Sequence, residues 1–300
     1  MKKSKPIYVE TFIKSDLDTV WAYTQEPDLH QKWDLRFSDI TYIPKEHPDA
    51  AQQFTYQTTI GFGLAIKGTG ESVGEHVKEN EKQSSLSFWA DSPLSLIESG
   101  GGYWKYVEHD QGMQFLTQYN YQTKWGALGK GVDLVFKPLM GWATAWSFDT
   151  LRLWLEKGIP PTLSFSRSLL FFLCSLVLSL IWIYQGLVPK LLFQDSGELA
   201  LLTSTGWFQG KESFVLYMLG AGQILFGLSF FLWSHRRILH YVNIVALLGL
   251  AIGSLVQTSF IYTAPFNPAT LTLAMVALSI IVLINLRDLP FASNCKRKKG

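Results

Sequence analysis

Charged side chains vanish from long stretches in the second half of the chain, and the lengths of those stretches predict helices that cross a bilayer. No charge occurs from Ser168 to Pro189 or from Ser213 to Ser234, and beyond Ile238, leaving His240 aside, the next charged side chain is Arg287. A helix rising about 1.5 Å per residue needs about 20 apolar residues to cross roughly 30 Å of hydrocarbon. The third stretch is too long for one span, and Pro265 and Pro268 in TAPFNP break it. Spans are expected near residues 167–187, 213–234, 241–262 and 269–286.

The first half reads differently. PIYVETFI has the pattern of a strand, Ser15-Asp16 starts a short helix over DLDTVWAYTQ, and Pro27 opens a second helix, PDLHQKWD. About six strand-like segments follow closely: SDITYIP, QQFTYQTTIG, the region of GESVGEHVKEN, SSLSFWA, GGYWKYVEH and MQFLTQYNYQT. Alternation is clear where Phe115, Thr117, Tyr119 and Tyr121 interleave with Leu116, Gln118, Asn120 and Gln122. A long helix is expected from about Asp133 to Lys157, with Leu139, Trp142, Trp146, Leu151 and Leu155 at helical spacing.

Charge divides the chain at the same place. Residues 1–160 carry 16 Lys/Arg and 20 Asp/Glu, residues 161–300 only 10 and 4, so the net charge of +2 averages two unlike halves. Two domains are therefore expected, 1–160 and 161–300, the second a four-helix bundle. Arg167, Arg236, Arg237, Arg287, Lys296, Arg297, Lys298 and Lys299 flank the spans on one side and only Lys190 and Lys211 on the other. That eight-to-two bias puts both termini inside. The N-terminal MKKSKPIYVETFIKSD has no apolar core of signal-peptide length, so the soluble half is expected in the cytoplasm. The basic tail reads as a topology determinant or an anionic-lipid contact, not a nucleic-acid contact.

Catalytic motifs are incomplete. Gly70-Glu71-Ser72-Val73-Gly74 matches G-x-S-x-G, but that motif needs a strand-to-helix turn in an α/β sheet, and antiparallel strands surround it here. The glycines between Gly61 and Gly102 lack a complete dinucleotide fingerprint. The six histidines are not spaced as metal ligands, and Cys174 and Cys295 form neither a disulfide framework nor a redox pair. The reading leans to binding rather than catalysis, with no metal and no resident cofactor.

The opening VETFIKSDLDTVWAYTQEPDLHQKWD, with Trp33 before the second strand, resembles the START-like or SRPBCC superfamily of polyketide cyclases and lipid-transport proteins, over roughly residues 5–157. The resemblance implies an α+β helix-grip domain, a curved antiparallel sheet around a long C-terminal helix enclosing an apolar cavity. Phe54, Phe88 and Trp154 are inward candidates, and the candidate cavity residues are Trp33, Arg36, Tyr56, Glu98, Tyr103, Tyr119, Tyr121 and Trp146. The same rings equally suit a filled core.

IWIYQGLVPKLLF, with Glu198 after it and LGAGQILFGLSFF in the next span, is similar to the DoxX-like family of four-span membrane proteins, over about residues 165–288. Relatives named for that family include a subunit of a thiosulfate-to-quinone oxidoreductase, which implies quinone or partner contacts at Gly186, Lys190, Glu198 and Gln223. Polar residues in hydrocarbon are costly unless paired. Gln185, Gln223, Gln257, Lys190 and Glu198 are thus expected to converge toward the outer side, and His235, Arg236, His240, Asn243 and Asn285 mark the opposite end. Gly249 and Gly253 form a G-x-x-x-G pair expected to pack the bundle against itself, with a dimer face as the alternative.

The leading expectation is a membrane-tethered protein that binds a hydrophobic small molecule or lipid. The alternatives are a quinone-linked oxidoreductase component and an anchored module for a protein partner or a second copy.

Overall fold

The computed structural model describes residues 5–299 except 62, 195–196, 258 and 266; the side chains of Gly61 and Gln257 also lie outside the described residues. The chain separates into two compact units, residues 1–164 with 290–300, and residues 165–289. The C-terminal tail thus packs with the N-terminal unit, where the sequence had grouped it with the spans.

In the first unit β1 (Ile7–Ile13) leads to α1 (Leu17–Gln25) and α2 (Pro27–Trp33). Asp16 caps α1 by accepting the Thr19 N–H, and Pro27 stands in the first turn of α2, where a missing N–H costs nothing. Then come β2 (Asp39–Tyr42), β3 (Gln53–Gly61), β4 (Leu64–Lys78), β5 (Glu81–Trp89), β6 (Ile97–His109) and β7 (Gly112–Thr123). They form one antiparallel sheet in the order β1-β7-β6-β5-β4-β3-β2. Helix α3 (Gly126–Lys157) closes the unit, giving the helix-grip arrangement that the resemblance implied.

α3 begins seven residues earlier than the sequence pattern suggested. Trp125 and Gly126 both adopt left-handed backbone angles, which reverse the chain between β7 and the helix. Gly129 lies against the Lys124 carbonyl, where a Cβ would collide, so glycines that discourage a helix in isolation are there for close packing. The helix stops at Gly158, left-handed, whose N–H reaches back to the Leu153 and Trp154 carbonyls.

The core lies between α3 and the sheet and is largely aromatic. Phe115 stacks on Phe148 at 4.4 Å and on Tyr106 at 5.1 Å, and Trp104 meets Phe115 edge-on at 5.6 Å. Trp33 and Trp146 are buried in the same cluster, as are Ala292 and Cys295 of the tail.

The second unit holds helices long and apolar enough to cross a membrane. α4 (Pro161–Leu187) continues through a π-helical turn, Val188–Leu192, and α5 (Glu198–Ser204) follows. Then come α6 (Glu212–Trp233), α7 (Arg237–Gln257) and α8 (Pro268–Asn285). Spans fall at Pro161–Leu192, Glu212–Trp233, Arg237–Val256 and Pro268–Asn285. Leu178, Trp182, Phe230, Leu247 and Met275 make the shared core, one or more from each of these helices.

The expectation that Gly249 and Gly253 pack the bundle against itself is overturned: a Cβ at either would meet nothing within 4 Å among the described residues, so neither packs closely on another helix of this chain. The close approach lies between α4 and α6 instead. Added Cβ atoms would run into the Gly220 carbonyl at Gly186, into the Gly186 carbonyl (2.8 Å) at Gly220, and into Ile183 and Ser179 (2.8–2.9 Å) at Gly227. Ser179 Oγ donates to the Gly227 carbonyl at 2.8 Å across this seam.

Candidate functional site

Strand alternation sets Phe54 and Tyr56 of β3 and Leu86 and Phe88 of β5 on the concave face. Their cross-strand partners there are glycines: Phe54 pairs with Gly70, Tyr56 with Gly68, Leu86 with Gly102 and Phe88 with Gly100. A Cβ at Gly68, Gly70 or Gly100 would collide with the ring of Tyr56, Phe54 or Phe88, so these rings lie directly on the sheet. α3 packs principally on β1 and on the tail turn Ala292–Asn294, which leaves the rings of the central strands half-buried. A patch of aromatic surface thus remains at the middle of the concave face.

One end of that patch is walled by the segment after α2. Phe37 meets Tyr56 edge-on at 5.5 Å and His30 at 5.3 Å, and His30 touches Trp33 and Trp104. Arg36 donates from Nε and Nη2 to the two Asp34 carboxylate oxygens, at 2.8 and 2.5 Å, while His30 Nε2 meets Asp34 Oδ2 at 3.0 Å. The Arg36 guanidinium lies 5.4 Å from the Phe37 ring and 5.5 Å from the Tyr119 ring. Burial alone would raise the Asp34 carboxyl, but Arg36 and then His30 hold it well below the usual range. Burial keeps His30 below its ordinary value of 6.5, against the pull of Asp34. Burial, with Asp91 nearby, pushes the Tyr56 phenol up to about 12, so it stays a neutral hydroxyl.

Of the cavity candidates, the structure brings Arg36, Tyr56, Tyr119 and Tyr121 to this side of the sheet. Tyr119 Oη bonds Thr144 Oγ1 at 2.9 Å, and Tyr121 Oη donates to Asp133 Oδ1 at 2.6 Å. Trp33 and Trp146 are closed into the core, with Trp33 Nε1 donating to the Tyr23 carbonyl at 2.8 Å. Two candidates do not join. Tyr103 points to the opposite face, where its hydroxyl reaches Gln118, because Gly100, Gly102 and Trp104 hold the inward phase of β6. Glu98 is exposed at a bulge between Ile97 and Ser99, where the register with β7 shifts. Sequence reasoning missed His30, Asp34 and Phe37; the His30–Asp34 spacing of one helical turn and the Asp34-x-Arg36 pair were the available signals.

In the second unit, part of the expected polar cluster assembles. Lys190 is buried, and its Nζ donates to Glu198 Oε1 at 2.9 Å and to the Gln185 carbonyl at 3.2 Å. Gly186, Gly220 and Gln223 share the α4–α6 seam: a Cβ on Gly186 would stand 3.0 Å from Gln223 Cβ, and one on Gly220 3.0 Å from Lys190 Cβ. Gln223 Oε1 is buried with no hydrogen-bond partner among the described residues. Gln185 takes part through its backbone carbonyl, and the Gln257 side chain lies outside the described residues. A separate chain of bonds ties three helices together, from Trp182 Nε1 to Asn243 Oδ1 at 2.7 Å and from Asn243 Nδ2 to Ser279 Oγ at 2.8 Å. Trp182 and Ser279 were missed, since an interhelical bond leaves no spacing signal in either partner.

The DoxX-like family model matches residues 179–280, across the spans. Among solved structures, TTHA0849 from Thermus thermophilus is 14% identical, over 45% of this chain and 86% of that one, at a TM-score of 0.35. Protein Ms6760 from Mycobacterium smegmatis is 16% identical, over 45% and 83%, at a TM-score of 0.31. Membrane protein YndG of Bacillus subtilis (strain 168) is 54% identical over 187 residues, 61% of this chain and 69% of that protein. The chain therefore belongs to the family of the membrane protein YndG, with a helix-grip domain ahead of a DoxX-like membrane region.

Proposed function

We propose that the protein binds a hydrophobic molecule, such as a lipid or isoprenoid chain, on the concave face of its N-terminal domain, which the spans hold at the cytoplasmic side of the bilayer. The observation that carries this reading is the half-buried aromatic patch of Phe37, Phe54, Tyr56 and Phe88, laid on sheet glycines and left uncovered by α3. Covering ten methylenes there contributes roughly 8 kcal/mol before the cost of ordering the chain, which removes several of those. The roughly 4 kcal/mol that remains corresponds to about millimolar affinity, weak enough for exchange with the bilayer, and tethering supplies the local concentration. The Tyr56 hydroxyl and Arg36 offer polar contacts at the edge. The cytoplasmic side follows from the eight-to-two bias of Lys and Arg in the span flanks.

Native mass spectrometry of the full-length protein, released from nanodiscs, tests this reading. A bound apolar molecule that disappears in Tyr56→Asp, with thermal stability retained, is the expected result. An identical adduct pattern in Tyr56→Asp removes the concave face as its site.

A second reading has its own observation, the buried Lys190 paired with the partly exposed Glu198, beside a Gln223 carbonyl oxygen with no partner among the described residues. That end of the bundle suits the polar head of a quinone, as part of an oxidoreductase completed by a partner. Quinone-analogue binding abolished in Glu198→Gln but unaffected in Tyr56→Asp would favour it.

A further inference from the structure

The outer face of α3 between Gly126 and Trp142 is inverted for a helix in water. Its two inward charged residues are both engaged, Asp133 with Tyr121 and Lys137 Nζ with Asn120 Oδ1 at 2.9 Å. Lys130 is the one charged residue on the exposed side. That side instead carries Leu128 (70% exposed), Val132, Val135 (74%) and Leu139, spaced four, three and four residues apart along about 17 Å of helix. Trp125 and Trp142, both more than 40% exposed, stand at the two ends of the row. Solvated helices place charge outward, and a contiguous apolar strip of this length marks a surface that is covered in use.

We propose that this strip lies in the lipid interface, parallel to the bilayer plane. Tryptophans at both ends suit the headgroup level, and Lys130 suits anionic headgroups. The chain passes from α3 through Gly158–Pro160 into α4, the first span, so α3 is tethered directly to a bilayer. A second copy of α3 fits the strip less well. Gly131 and Pro138 interrupt a knobs-into-holes seam, and there are no alternating charges beside it to set a register. The docking does not depend on what the concave face holds.

Nitroxide labels at Leu128→Cys, Val135→Cys and Leu139→Cys in the full-length protein, reconstituted into nanodiscs containing anionic lipid, test the proposal. The strand residue Val77→Cys, 70% exposed, serves as reference. Wild-type protein, whose Cys174 and Cys295 are buried, is the labelling blank. At the three helix positions the ratio of oxygen to nickel-chelate accessibility is expected to be about fivefold higher than at Val77, as for an interfacial helix. A ratio equal to that at Val77 overturns the proposal. Protection from both reagents, or dipolar broadening between labels on two copies, also overturns it by placing protein on the strip.

Discussion

The Asp149 carboxylate accepts the backbone N–H of Phe291 at 2.8 Å, joining α3 to a residue 142 positions away, beyond the last span. The same oxygen accepts Asn294 Nδ2 at 2.8 Å, and Arg152 pairs with the other at 2.7 Å. Cys295 Sγ donates to the Ala145 carbonyl, and Glu10 and Lys296 exchange two backbone bonds of 2.9 Å along the free edge of β1. Burial and the nearby Asp149 push the Cys295 thiol up to about 12, which makes it a packing group. Asp149→Ala leaves these donors unmatched at a fully buried site and is expected to cost about 3 kcal/mol, or about 10 °C of melting temperature in the N-terminal unit. Near-ultraviolet circular dichroism of the full chain reads this, and deletion of residues 290–300 should lower the same transition.

His30 gives the N-terminal unit a pH dependence. Burial lowers its pKa in the folded protein, so the unfolded chain binds the proton more readily. Its stabilising contribution is complete above about 6.5 and is lost as pH falls through the folded value. Asp34, held low by Arg36, adds a separate loss below about 3.9. The melting temperature is expected to fall between pH 7 and pH 5, and His30→Gln should flatten that part of the curve while leaving the acid limb.

The two glycine sets in the spans should behave oppositely. Gly186→Ala drives a methyl group into the Gly220 carbonyl and against Ile224 at 2.9 Å, and overpacking of this kind costs about 2 kcal/mol. Gly249→Ala meets nothing within 4 Å and should change stability by less than about 0.5 kcal/mol. Denaturation midpoints in sodium dodecyl sulfate distinguish them.

Asn243 is fully buried and bridges Trp182 to Ser279. Asn243→Leu is expected to destabilise the membrane half by about 1 kcal/mol, the usual size of an interhelical bond in lipid. A double-mutant cycle with Trp182→Phe should return much of that as coupling.

Legibility in the sequence followed the range of the physical signal. Uncharged runs gave the spans, but the third helix starts at Arg237 and not near Tyr241, because a basic residue at the membrane edge is part of the helix that follows it. Strand order was readable from alternation, whereas the phase of β6 was not: Gly100 and Gly102 hold the inward positions an aromatic-seeking reading assigned to Tyr103. Gly249 and Gly253 had the right spacing for close packing, yet spacing cannot reveal which helix face turns inward, and Gly186, Gly220 and Gly227 took that role. The tail escaped notice because its partners, Asp149 and Glu10, are distant in sequence and each pairing depends on the finished fold.

The central claim, that the concave face holds an apolar molecule, is tested most directly by cross-linking a diazirine-bearing fatty acid to the full-length protein in membranes and mapping the modified peptides. The expected adducts lie on the peptides containing Phe37, Tyr56 and Phe88, and excess unlabelled fatty acid should abolish them. Adducts confined to α4, α6, α7 and α8, with none on those strands, would contradict the account.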